Sequence, residues 1–108
     1  MPIKLPPPID RYFTAGSDDE EFIARCFTEH AVVKDEGRTH NGLAAIKQWK
    51  AASSKKYAYT SEPFACEDSG SKTIVTCRVT GNFPGSPVNL RFFFGLESHK
   101  IASLEITL

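Results

Sequence analysis

Asp35, Tyr12 and His40 are the side chains in this sequence whose type and placement suit proton-transfer chemistry. Asp35 ends the run Ala31-Val32-Val33-Lys34-Asp35. On a strand, residues two apart share a face, so if Val33 points into the core, Asp35 carries a carboxylate to the same wall. A carboxylate there can take a proton from carbon as a general base. Two other readings stay open. Asp35 can accept turn hydrogen bonds beside Glu36-Gly37, or it can pair with Arg38, which a two-residue loop would place directly opposite on that face. The same loop would turn His40 to the face of Asp35 and Val33, where an imidazole can pass protons near neutrality. Tyr12 can donate its hydroxyl to a ligand oxygen, or satisfy it on a backbone carbonyl as a core aromatic. Trp49 reads as packing or cavity lining. Of the consecutive Phe92, Phe93 and Phe94, a strand must turn the first and third to one face and the second to the other. Phe92 and Phe94 are the pair expected to line a cavity with Val33 and Arg38.

Other chemistries lack their residues. No two histidines stand four apart and the cysteines are scattered, so no metal site is expected. Nor is there a Ser-His-Asp or Cys-His grouping or a glycine-rich phosphate loop, and no cofactor is implied. Thirteen basic residues balance thirteen acidic ones, whereas nucleic-acid binding draws on basic excess. Lys47, Lys50, Lys55 and Lys56 read as a solvated helix end. Cys26, Cys66 and Cys77 are odd in number, which suits reduced thiols in the cytoplasm. No stretch has the length of a membrane span.

The elements that must position these groups can be read from periodicity. Prolines 6–8 lead into a short helix in which Ile9, Tyr12 and Phe13 recur at i, i+3 and i+4. Ser17 with Glu20 forms a capping-box pattern that starts a second helix, with Phe22, Ile23, Cys26 and Phe27 on one face. Two short strands joined at Glu36-Gly37 follow, and His30 reads as a loop residue before them. Asn41-Gly42 opens a third helix with Leu43, Ile46 and Trp49 aligned. The second half reads as β: Tyr57 to Cys66, with Pro63 marking an edge or a bulge; Thr73, Val75, Cys77 and Val79 alternating in a second strand; Val88 to Leu96; and Ile101 to Leu108 after a tight Ser98-His99-Lys100 connection. Gly95 is expected to mark a bend. The order ααββαββββ predicts a single α+β domain over residues 1–108 with its helices on one face of an antiparallel sheet.

Several of these residues carry a resemblance. Arg11-Tyr12-Phe13, the run Phe27 to Asp35, Gly42-Leu43-Ala44-Ala45-Ile46-Lys47-Gln48-Trp49 and Lys100-Ile101 resemble the nuclear transport factor 2-like superfamily, its SnoaL-like and ketosteroid-isomerase-like branch above all. The resemblance implies a cone: a curved, mostly antiparallel sheet wrapped round three helices of the N-terminal half, with a central pocket. It also implies an isomerase, cyclase or dehydratase acting on a small apolar carbonyl compound. Asp35 falls at the position of the base and Tyr12 at that of the oxyanion donor. The late-strand acid of the isomerases has no counterpart in Arg91-Phe92-Phe93-Phe94, and Lys50 stands where they keep a supporting tyrosine. A non-catalytic module binding a small hydrophobic molecule is the alternative. Because Phe93 must face away from the cavity, a homodimer through that side of the sheet is expected.

Overall fold

The structure is a computed structural model that describes residues 5–14, 25–35, 37–56 and 59–107. Helix α1 spans Pro7–Thr14. Prolines suit its first turn because those N–H groups have no helical partner, and the turn closes where the Asp10 amide donates to the Pro6 carbonyl at 2.9 Å. Ile9 and Tyr12 are buried and Phe13 half-buried, the face that the i, i+3, i+4 spacing predicted. Full burial of an apolar side chain such as Ile9 contributes roughly 1.5–3 kcal/mol, and the half-buried Phe13 contributes less.

The predicted second helix, and the capping pattern that starts it, fall almost wholly outside the described residues. Arg25 and Cys26 are helical, and Phe27 opens a strand instead of closing a helical face. Two helices, not three, are therefore described. Strand β1 runs Phe27–Asp35 and takes in His30, which is an exposed strand residue and not a loop residue. Strand β2 is Arg38–Asn41. The helix predicted third in the chain, α2, is Gly42–Lys56. Strands β3 (Tyr59–Ser69), β4 (Lys72–Gly81), β5 (Val88–Glu97) and β6 (Lys100–Thr107) complete the fold.

The six strands form one open sheet in the order β2-β1-β6-β5-β4-β3. All pairs are antiparallel except β1 with β6. β3 is an edge, and its register slips between Pro63 and Ala65. Proline cannot donate to the ladder, so both the edge and the bulge are where it belongs. A second slip follows Gly95, where the backbone lies against Ser103.

Period two assigns the faces. Thr73, Val75, Cys77 and Val79 are buried on β4. They pair with Phe94, Phe92, Leu90 and Val88 of β5, and Phe92 and Phe94 pair in turn with Ile106 and Leu104 of β6. Val33 lies opposite Leu104 across the parallel junction. This inner face meets the helices: α2 packs on β1 and β2, and α1 on β6. The other face carries Ile74, Phe93, Glu105 and Lys34 in adjacent register.

Candidate functional site

Two short devices place Asp35. Two residues separate the paired Asp35 and Arg38, and Gly37, the described one, stands at φ +76°, a conformation glycine adopts without steric cost. The register that follows pairs Asp35 with Arg38 and Val33 with His40. All four thus project from one face, and Val33 is fully buried there.

The partner of the carboxylate comes from a different element. The indole N–H of Trp49, on α2, donates to Asp35 Oδ2 at 2.9 Å. Trp49 is 8% exposed, so its one donor needs an acceptor inside the protein. Gly42 begins α2 directly after β2 at φ +84°, and this sharp entry folds the helix back over the hairpin. Ile46 and Trp49, three apart, then face inward together. A charged acceptor makes this hydrogen bond stronger than a neutral pair would. It also leaves Oδ1 as the oxygen not held by the indole. Arg38, opposite in register, is exposed. His40 is half-buried and meets the other side of the site through the Trp49 ring, centroids 6.0 Å apart and planes at 37°.

Tyr12 is buried within an aromatic cluster. Its ring stands edge-on to Phe13, Phe27 and Phe94 at centroid distances of 5.1, 6.0 and 5.7 Å. Phe92 lies at 6.4 Å and is stacked on Phe94, as two residues of one strand face must be. The Lys50 ammonium sits 4.9 Å from the Tyr12 centroid and 5.7 Å from that of Trp49. Asp35, Trp49 and His40 thus form one group on the β1–β2 hairpin and α2. Tyr12, Phe92 and Phe94 form a second, under α1, with Lys50 between them.

Asp35 also borders a surface groove of about 290 Å³ at the hairpin end of the sheet, lined among others by Lys34, Arg38, Thr39, Glu105 and Thr107. Among the described residues no three His, Cys, Asp or Glu side chains converge to hold a metal, and no helix is long and apolar enough to cross a membrane. All three cysteines are free thiols. Burial pushes the Cys77 thiol up to about 12. Cys26 is likewise raised by burial, which outweighs the nearby positive charges of Arg11 and Lys100. Neither is activated as a nucleophile, since the reactive form is the thiolate.

Sequence reasoning treated Trp49 as packing or cavity lining, and Lys50 as part of a solvated helix end and a departure from the family pattern; Lys50 is instead half-buried over the Tyr12 and Trp49 rings. A signal for the first was present, since a buried tryptophan must spend its N–H on something, but the acceptor is fourteen residues away and no local spacing points to it. The link between Lys50 and Tyr12 left no signal in the sequence.

Comparison with solved structures gives the fold its relatives. A candidate polyketide cyclase from Sinorhizobium meliloti is 40% identical, superposes with a TM-score of 0.90, and the match covers 95% of each chain. A protein of ketosteroid-isomerase-like fold from Catenulispora acidiphila, solved with trimethylamine, matches at TM-score 0.81 and 16% identity over 97% of this chain and 87% of that one. A SnoaL-like family protein from Agrobacterium tumefaciens matches at TM-score 0.74 and 13% identity, covering 93% and 92% of the two chains. No family model matches the sequence, and no curated protein does. With 40% identity over nearly the whole length of the first and the same architecture in the others, the chain belongs to the nuclear transport factor 2-like superfamily, among its SnoaL-like and ketosteroid-isomerase-like members.

Proposed function

We propose that this protein binds a small hydrophobic carbonyl compound in a pocket between the sheet and its helices and acts on it as a cofactor-independent isomerase, cyclase or dehydratase. Asp35 is the general base. The observation that carries the reading is the hydrogen bond from Trp49 to Asp35 Oδ2. It holds a half-buried carboxylate in one orientation on the core-facing side of β1 and leaves its second oxygen to meet an acidic C–H. Tyr12 supplies the hydroxyl for the oxygen on which charge develops, and His40 passes the proton onward. Val33, Phe92 and Phe94 provide the apolar wall, with Arg38 at the rim. The similarity to a candidate polyketide cyclase supports the reaction class. The proposed setting is the cytoplasm, consistent with three unpaired thiols.

A thermal-shift screen of small carbonyl and polycyclic compounds identifies ligands, because binding to the native state raises the midpoint. With a substrate so found, Asp35→Asn should keep the fold and lose turnover by about 10²–10⁴-fold, the usual contribution of a positioned base. Full turnover in Asp35→Asn would remove the assignment.

One observation favours a second reading, a binding module without chemistry. The Tyr12 ring is hemmed by Phe13, Phe27, Phe92 and Phe94, so aromatic side chains already fill space that a substrate would need. Ligands that raise the melting temperature yet are never converted would select it. In either case we propose a homodimer through the outer sheet face, where Phe93 and Ile74 pair in register and the Arg91 guanidinium stacks on Phe93 at 5.2 Å.

A further inference from the structure

Lys50 is charged, half-buried and adjacent to the site, yet the chemistry proposed above leaves it unused. Its ammonium lies 4.9 Å from the centroid of the Tyr12 ring and 5.7 Å from that of Trp49. Trp49 in turn holds Asp35. One positive charge therefore connects α1 to the carboxylate through two aromatic rings. Each ring attracts a cation through its quadrupole, which confines an otherwise flexible side chain to this place.

The charge balance of the reaction gives that placement a use. When a proton leaves the carbon beside a carbonyl, the C–H electron pair forms the new C=C bond and the carbonyl π pair moves onto oxygen. The proton passes to Asp35, which becomes neutral, so one negative charge has moved from the protein to the substrate oxygen. The inner face of β5 presents Phe92 and Phe94 to the core, and neither donates a hydrogen bond. A fixed cation in a site partly screened from water is a stronger partner for such an oxygen than a neutral donor.

We propose that Lys50 is the oxyanion-stabilising cation of this site, and that the site selects ligands that are, or become, enolate-like or phenolate-like anions. This rests on the reading of Asp35 as general base.

The test uses the full chain carrying Asp35→Asn, whose neutral amide imitates the protonated base. It is titrated with 4-nitrophenolate, at a mildly alkaline pH where that probe is ionised, and with neutral 4-nitroanisole of similar shape. Nitroaromatic rings quench indole fluorescence on contact, and Trp49 is the only tryptophan, so quenching reports occupancy of this site. The phenolate should bind about tenfold more tightly than the anisole, a difference of about 1.4 kcal/mol. Adding Lys50→Met should erase that preference while leaving anisole binding unchanged, and Lys50→Arg should restore it. The preference in the protein that keeps Lys50 is read first and needs no lysine variant to fold. A phenolate preference that survives Lys50→Met overturns the proposal, as does equal loss of both probes, which marks a structural lysine. If the anisole binds and the phenolate does not, the pocket stands and the role of Lys50 falls. If neither binds, the pocket reading fails and this one with it.

Discussion

Trp49→Phe keeps an aromatic ring under α2 and removes the one donor that reaches Asp35. Two losses follow, and they can be separated. Trimming the larger ring of a side chain only 8% exposed costs about 1 kcal/mol in buried area. Losing a hydrogen bond to a charged acceptor costs about 1.5–3 kcal/mol when the acceptor is left without a partner. Asp35 is half-buried, so water replaces part of the bond and the lower end, about 1.5 kcal/mol, applies. The single variant should therefore lose about 2.5 kcal/mol in urea unfolding followed by far-ultraviolet circular dichroism, the sum of the area and hydrogen-bond figures. In an Asp35→Ala background the same substitution has no bond left to break and should cost only the area loss of about 1 kcal/mol. The coupling between the two positions is then about 1.5 kcal/mol. Because the chain holds one tryptophan, its indole N–H gives a single nuclear magnetic resonance signal, and Asp35→Ala should move that signal upfield. Penalties equal in both backgrounds to within about 0.5 kcal/mol, with an unmoved resonance, would refute the Trp49–Asp35 link and the orientation of the base argued from it.

The thiols give a second check. Cys66 is exposed while Cys26 and Cys77 are buried, so a thiol reagent should label one cysteine rapidly and two only on unfolding. The raised Cys77 value of about 12, against an ordinary 9.0, means the folded state holds its proton where the unfolded chain releases it. The stability this contributes is complete below pH 9.0 and is lost as pH rises toward about 12; unchanged urea midpoints across that window in wild type, or the same decline in Cys77→Ala, would contradict it. For the proposed dimer, sedimentation should give twice the chain mass, and Phe93→Glu should give the single chain with its far-ultraviolet spectrum intact. A monomeric wild type removes the dimer.

Features set by neighbours along the chain were legible before any coordinates. The α1 face of Ile9, Tyr12 and Phe13, the alternation from Thr73 to Val79, and Pro63 at an edge all follow from helical and strand periods or from a missing N–H. The turns were legible as turns, but their registers were not. The pairing of Asp35 with Arg38 was only one of the readings left open. Lys100 belongs to β6 and not to the connection, so that Ser98-His99, both at positive φ, joins Glu97 to Lys100 in the geometry favoured by hairpin twist. His30 and Phe27 were misplaced because β1 begins earlier than its apolar run. Its first residues are paired by the distant β6, not by local composition.

What the tertiary structure alone decided is which groups meet. Asp35 could have closed on Arg38 or on its turn. It accepts from Trp49 because α2 folds back over the hairpin, a choice made by the burial of Ile46 and Trp49. Likewise Lys50 reaches Tyr12 only because α1 and α2 cover the same inner face of the sheet. Sequence periodicity determines which side of an element is apolar. Where two such sides come together depends on contacts between residues far apart in the chain, and the candidate site is made of those contacts.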